Sequence, residues 1–66
     1  MIVNDKVIVN KPHHSFHAFN GEVIRLHIID GQECAEVYLM PGQRELNGPT
    51  WRGGSWIFLS SNLTVA

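Results

Sequence analysis

Short segments rich in β-branched residues alternate with turn residues along the first part of the chain. Residues 6–10, 22–29 and 34–40 each carry the Val, Ile, Leu or Tyr side chains that are typical of strands. The dipeptides Asn20-Gly21 and Asp30-Gly31 separate them, and Gly tolerates the positive φ that tight turns require. No long window shows the apolar period of a helix. The pattern therefore predicts an all-β chain.

The second part of the chain continues this pattern after a longer connection. Pro41-Gly42 ends the third segment, and residues 43–54 are polar and rich in Gly, with Trp51 among them. We interpret this stretch as a long loop. Three elements are predicted after it: a strand at residues 55–59, one turn of 3-10 helix at residues 60–62 and a strand at residues 63–65.

Alternation along the strands predicts which side chains face the core. It fails in the second strand, where a bulge near Arg25 would place both Val23 and Leu26 inside. Phe19 and Trp56 are predicted to belong to the same core. The remaining expected core residues of the strands alternate strictly: Val7, Val9, Ala35, Val37 and Leu39.

Five short strands with a 3-10 turn before the last resemble the SH3-like barrel. A chain of 66 residues has room for one domain, which we take as residues 1–66. Closing the sheet would remove its edges, which a chain this small has little else to cover. The sequence therefore predicts an all-β, five-stranded SH3-like barrel with a 3-10 turn before the last strand.

The order of residues is similar to that of small SH3-like stromal proteins of photosynthetic electron-transfer complexes. These are the E subunit of photosystem I and the S subunit of the photosynthetic NADH dehydrogenase-like complex. The resemblance implies docking of ferredoxin, an acidic electron carrier, on a basic face. This chain is slightly acidic instead and has a longer loop at residues 40–54. The resemblance covers Lys6-Val7-Ile8-Val9, Lys11-Pro12, Phe16, Phe19, Gly21, Val23, Arg25, Asp30-Gly31, Ala35-Glu36-Val37-Tyr38-Leu39 and Leu63-Thr64-Val65.

About 30 residues also resemble, more loosely, the KOW motif of transcription elongation factors and ribosomal proteins. The motif consists of a strand, a loop and a glycine followed by apolar residues, here Lys6-Val7-Ile8-Val9 and then Gly21-Glu22-Val23-Ile24. This resemblance implies nucleic-acid binding. Residues 13–17 contain histidines where that family carries a basic loop.

Charge and cysteine content limit the classes of function. The formal net charge is −1, with five basic and six acidic side chains, which argues against a strong phosphate-binding surface. Cys34 is the only cysteine, so no internal disulfide forms, and we expect it to be buried as a small apolar side chain. No signal peptide or membrane-spanning segment is recognisable. We therefore expect a cytoplasmic protein without membrane insertion.

The four histidines are the only cluster that suggests a metal. His13, His14 and His17 lie in one loop and His27 lies on a strand, but zinc needs convergent ligands and no cysteine pair supports them. We predict solvated loop histidines with no metal and no cofactor, and a pH-sensitive binding loop is the alternative. No Ser-His-Asp spacing, phosphate-binding glycine loop or isolated carboxylate pair indicates catalysis, so we predict no enzyme activity.

The aromatic side chains are the best candidates for a contact surface. Tyr38 lies on the outward side of its strand, and Trp51 and Arg52 lie in a loop with few neighbours to bury them. Aromatic and arginine side chains are enriched in binding hot spots. The alternative for Trp51 is a plug over the end of the barrel. The predicted partner-binding residues are Phe16, Tyr38, Trp51 and Arg52, with His14 and His17 at the rim.

These features together predict a non-enzymatic protein-binding module that contacts its partner through the barrel loops. Such a chain would be an accessory subunit or a modulator of a larger complex. The alternative is a KOW-like nucleic-acid-binding module, whose affinity would fall steeply with salt.

Overall fold

Five antiparallel strands and one 3-10 turn make up the protein, for which the computed structural model describes residues 1–66. The predicted all-β fold, the five strands and the 3-10 turn before the last one are confirmed, with strand ends displaced by at most two residues. The elements are β1 (Lys6–Val9), β2 (Asn20–Ile29), β3 (Gln32–Leu39), β4 (Gly54–Leu59), the 3-10 turn (Ser60–Asn62) and β5 (Leu63–Val65).

The strands form one sheet that is not closed. Their order is β4-β3-β2-β1-β5, so β4 and β5 are its two edges and are not hydrogen-bonded to each other. The short 3-10 turn joins these edges covalently. The predicted closed barrel is therefore not observed, and the predicted removal of sheet edges does not occur.

The β2–β3 hairpin follows the sequence signals closely. Asp30 and Gly31 both have positive φ, 52° and 75°, as a type I′ turn requires. The register shifts between Val23 and Arg25, so Ile24 is the extra residue of a bulge. The predicted turn and bulge are both confirmed.

Beyond the bulge the hairpin extends past the core. Leu26 pairs with Ala35 on the inner side of the sheet, but its side chain is 40% exposed. The reason is that the pairing of β1 with β2 ends at Lys6↔Glu22, so no strand covers this part of β2. Leu26 is thus on the predicted inner side of the sheet but remains partly exposed, whereas Val23 is buried there.

The core lies on the inner side of the curved end of the sheet. The predicted inward positions of β1 and β3 are confirmed, as is the burial of Phe19 and of the free thiol Cys34. Phe16 is also buried, although we predicted it at the surface. The cluster consists of Val7, Val9, Phe16, Phe19, Val23, Ala35, Val37, Leu39, Phe58 and Leu63.

Gly21 allows β2 to cross the core at close range. It lies inside β2, opposite Val7 and Leu39, and not in the turn that the Asn20-Gly21 dipeptide predicted. A Cβ at this position would overlap Val37 Cγ1 and lie 2.7 Å from the Tyr38 carbonyl oxygen. The glycine is therefore needed for close packing of the backbone and not for a turn.

The long connection between β3 and β4 is an ordered loop. The Gln43 amide accepts a hydrogen bond from the Asn20 N–H (2.6 Å) and donates to the carbonyl oxygens of Asn20 (3.0 Å) and Met40 (2.8 Å). An isolated bridge joins Arg44 to Thr50. These bonds fix the loop on the end of the sheet.

No helix in the structure is both long and apolar enough to span a membrane.

Candidate partner-binding site

The loop between β1 and β2 is built from successive tight turns. The N–H groups of His14, His17 and Phe19 each donate to the carbonyl oxygen three residues earlier, at 3.1, 3.0 and 3.1 Å. The loop returns to the sheet where the Ala18 N–H donates to the Val9 carbonyl oxygen at 2.8 Å. The loop therefore holds its side chains in fixed positions over the inner side of the sheet.

Two histidine rings take part in the backbone of this loop. His14 Nδ1 accepts from the Phe16 N–H at 3.0 Å, and His17 Nδ1 accepts from the Lys11 N–H at 3.1 Å. A protonated imidazole has no acceptor nitrogen, so the His14 bond requires the neutral ring with its proton on Nε2. Partial burial lowers the pKa of His14, and the nearby Lys11 charge lowers it further.

The loop brings its aromatic side chains together with those of β4 and of the β3–β4 loop. We call His14, Phe16, Trp51 and Trp56 the aromatic cluster. Phe16 is its centre, with ring centroids 5.4 Å from His14, 4.7 Å from Trp51 and 5.1 Å from Trp56. Tilted and edge-on rings at these distances attract one another. The cluster therefore ties three separate segments into one surface.

Trp51 anchors the β3–β4 loop to the core. Its Nε1–H donates to the Leu39 carbonyl oxygen at 3.0 Å, and its ring packs partly buried against the core residues. Trp51 therefore folds back onto the core, as in the alternative to an exposed contact, although the open sheet has no barrel end for it to plug. Trp51 thus presents only part of its ring to a partner.

Trp56 is the most exposed ring of the cluster. The sequence predicted it in the core, but 48% of it is exposed. It pairs with Val37 and so lies on the inner side of the sheet, where its neighbours are Phe16 and His14. The prediction was wrong because β4 is an edge strand, with no further strand to cover the ring. Sequence reasoning therefore missed a site residue whose only signal was its position near the start of the last long strand.

The predicted contact residues do not form one surface. Phe16 is buried beneath the other rings of the aromatic cluster and has little surface left for a partner. Tyr38 is 37% exposed, as expected, but its alternation with Val37 and Leu39 places it on the outer side of the sheet.

The remaining predicted residues lie around the cluster. His14 belongs to it, and His17 is exposed on the same loop. Arg52 is exposed beside Trp51 and lines an open cleft of about 340 Å³ with Glu45, Pro49 and Thr50. Of the predicted residues, His14 therefore lies beside Trp56, which was not predicted, and Trp51 joins the same cluster through Phe16. Arg52 follows Trp51 in the β3–β4 loop.

The outer side of the sheet carries a polar network around Glu36. His27 Nε2 lies 3.0 Å from Glu36 Oε1, Arg25 Nη1 lies 3.9 Å from the same atom, and the Ser55 hydroxyl donates to Oε2 at 3.3 Å. The hydrogen bond from His27 and, to a smaller extent, the charge of Arg25 lower the pKa of Glu36, while desolvation opposes them. These contacts satisfy the carboxylate within the sheet.

The histidines and acidic residues do not form a metal centre. His27 lies on β2, away from the three histidines of the loop, and no group of three or more His, Cys, Asp or Glu side chains converges on a common point.

Acidic partners neutralise part of the positive charge. Lys6 is paired with Glu22, and Arg25 with Glu36. Lys11, Arg44 and Arg52 have no such partner. Three free cations are few for a chain that would hold a nucleic-acid backbone.

Comparisons of the chain with protein-family models, with curated proteins and with solved structures gave no match. The functional interpretation therefore depends on the geometry of these residues.

Proposed function

We propose that this chain is a non-enzymatic protein-binding module that serves as an accessory subunit or modulator of a larger complex in the cytoplasm. The observation that carries the proposal is Trp56, which is 48% exposed although Phe16 and His14 hold it in place. Trp is among the residues most enriched in binding hot spots. The free thiol Cys34 agrees with a reducing compartment.

Burial of Trp56 by a partner would contribute a large binding free energy for one residue. Covering its exposed part would remove roughly 100 Å² of mostly apolar surface from water, which is worth about 2–3 kcal/mol. The ring is already packed on one side, so little side-chain entropy is lost when a partner covers it. The His14 ring, 6.5 Å from Trp56 between ring centroids, is a polar neighbour that suits the rim of an interface.

A KOW-like nucleic-acid-binding module is the second proposal. The exposed Trp56 ring is a platform on which a base could stack, and Lys11, Arg44 and Arg52 are free to contact phosphates. The net charge of −1 and the small number of free cations favour the protein partner.

Affinity capture from a lysate of the source organism separates the two proposals. We expect the immobilised chain to retain a defined protein after nuclease treatment and at moderate salt. The Trp56→Ala variant should retain about tenfold less of that protein than the wild type, as expected for a hot spot. Ile28→Ala is the control, because Ile28 is 73% exposed on the hairpin, away from the aromatic cluster.

Retention of nucleic acid in place of protein would overturn the first proposal, and so would equal losses for Trp56→Ala and Ile28→Ala. Circular dichroism and thermal unfolding of both variants exclude loss of the fold as the cause.

A further inference from the structure

The outer edge of β4 has unpaired backbone groups. β4 pairs with β3 along its length from Gly54 to Leu59, and no strand lies on its other side. None of the 16 backbone hydrogen bonds outside the regular elements uses an N–H or C=O group of residues 55–59. A row of free donors and acceptors on an extended strand is a template for another strand.

β4 also lacks the features that protect sheet edges in many proteins. It contains no proline or charged side chain, and its pairing with β3 shows no bulge. Charged residues occur in β1, β2 and β3, but residues 53–66 contain none. Lys, Pro and bulges are the usual means of blocking pairing at an edge. The edge of β4 is therefore open to a further strand.

Apolar side chains flank this edge on both sides of the sheet. Trp56 lies on the inner side, whereas Ile57 pairs with Glu36 on the outer side and is 45% exposed. Leu59 is 38% exposed on the same outer side, opposite Cys34. A strand that pairs with β4 would cover part of all three side chains.

We propose that the strand that pairs with β4 is β4 of a second copy of this chain, in an antiparallel dimer with one continuous sheet. Its twofold axis would pass between the two copies of Ile57, so that Trp56 of each copy lies opposite Phe58 of the other. An uncharged strand is complemented best by another uncharged strand, since a charged partner would lose hydration without gaining an opposite charge. Cross-strand aromatic pairs stabilise such a ladder.

The symmetry of this pairing closes the assembly. In a twofold interface the same residues of both copies are used, so pairing through β4 stops at two copies. Pairing of β4 with β5 of another copy would be open-ended, and β5 has only three residues. This dimer is argued from the unpaired edge of β4 and not from the proposed binding of another protein, although both contacts would cover part of Trp56. The dimer leaves His14 and Trp51 free and places two Trp56 rings on one side of the sheet.

Sedimentation equilibrium over a wide range of protein concentrations tests the dimer. We expect the mass of the wild-type chain to rise from 7.4 kDa to twice that value. Ile57→Lys places two like charges across the twofold axis and should raise the dissociation constant at least about tenfold. The matched control is Ile29→Lys, because Ile29 is 44% exposed, lies on a strand of the same sheet and is far from β4. This variant should dimerise as the wild type does.

Hydrogen exchange of the wild-type chain tests the same claim without any substitution. Amide protection in residues 55–59 should rise with protein concentration by more than protection in β1 and β2, which gain only from the stabilisation against global unfolding. A wild-type chain that remains at 7.4 kDa at all concentrations overturns the proposal. An equal effect of Ile29→Lys, or growth beyond two copies, also overturns it.

Discussion

Gly21 shows how one residue without a side chain determines the packing of the core. Its backbone lies close to β3, and its strand partners Val7 and Leu39 are fully buried. The space that a Cβ would need is occupied by Val37 and by the backbone of Tyr38. Backbone cannot move away as a flexible side chain can, so the strands themselves would have to separate.

We therefore expect Gly21→Ala to lower the free energy of unfolding by about 2–3 kcal/mol, at the upper end for overpacking of a core. Urea unfolding followed by tryptophan fluorescence measures the change. Gly31→Ala is the control, because nothing lies within 4 Å of a Cβ at this turn position and only its positive φ is unfavourable. It should lower the free energy by about 1 kcal/mol. Equal effects would contradict the steric explanation.

His14 makes the stability of the β1–β2 loop depend on pH. Its ring must be neutral to accept from the Phe16 N–H, and its pKa in the folded chain is lowered, first by partial burial and then by Lys11. A lowered histidine pKa means that the unfolded chain binds more protons, so stability rises with pH. Its contribution is complete above the unfolded pKa of about 6.5 and is lost as pH falls below it.

The pH dependence can be separated from the acceptor role by His14→Asn. The shorter side chain still offers an oxygen to the Phe16 N–H but does not titrate. We expect the decrease in the free energy of unfolding between pH 7.5 and pH 5.5 to become smaller in this variant. His13→Asn is the matched control, since His13 is exposed and tolerates Asn at its positive φ of 73°. If the free energy of unfolding decreases as much in His14→Asn as in the wild type, His14 is not the source of the pH dependence.

At the scale of elements, the sequence predicted correctly the features that depend only on neighbouring residues. The Asp30-Gly31 turn needs only two residues with positive φ, and the bulge at Ile24 follows from failed alternation within one strand. The site was harder to predict, because burial there depends on distant segments. The predicted bulge gave the correct side of the sheet for Leu26, and Trp56 does face the inner side, but the sequence did not show where the core ends. Phe16 lies in a loop, where no period predicts burial.

The side chain of Gln43 fixes the β3–β4 loop to the end of the sheet. Its side-chain amide bonds both backbone groups of Asn20 and the carbonyl oxygen of Met40. We expect Gln43→Ala to lower the free energy of unfolding by roughly 1–2 kcal/mol, because each net hydrogen bond contributes about 1 kcal/mol and water replaces part of them. Amide exchange at Trp51, whose N–H donates to the Gln43 carbonyl oxygen at 2.6 Å, should become faster.

The control for this variant is Gln32→Ala, at an exposed position on the hairpin. It should leave the exchange of the β3–β4 loop unchanged. The same exchange rates in both variants would mean that the Gln43 side chain does not hold the loop.

At the scale of the whole molecule, an open sheet determines where interactions occur. β4 and β5 are each paired on one side only, so their outer edges are free. Trp56 and Ile57 lie on opposite faces of the sheet at the β4 edge. The sequence predicted the strands but not this opening, because closure depends on the tilt and register of all the strands and not on the composition of any one of them. The proposed contacts, with another protein and with a second copy, both use this edge of the molecule.

Photo-cross-linking in cells of the source organism tests the proposed binding of a protein partner most directly. A photoreactive amino acid replaces Trp56 in one experiment and Ile28 in the other, and mass spectrometry identifies what is attached. We predict that position 56 cross-links to a defined protein and that position 28 does not. Cross-links from position 56 to nucleic acid alone, or the same products from both positions, would contradict this prediction.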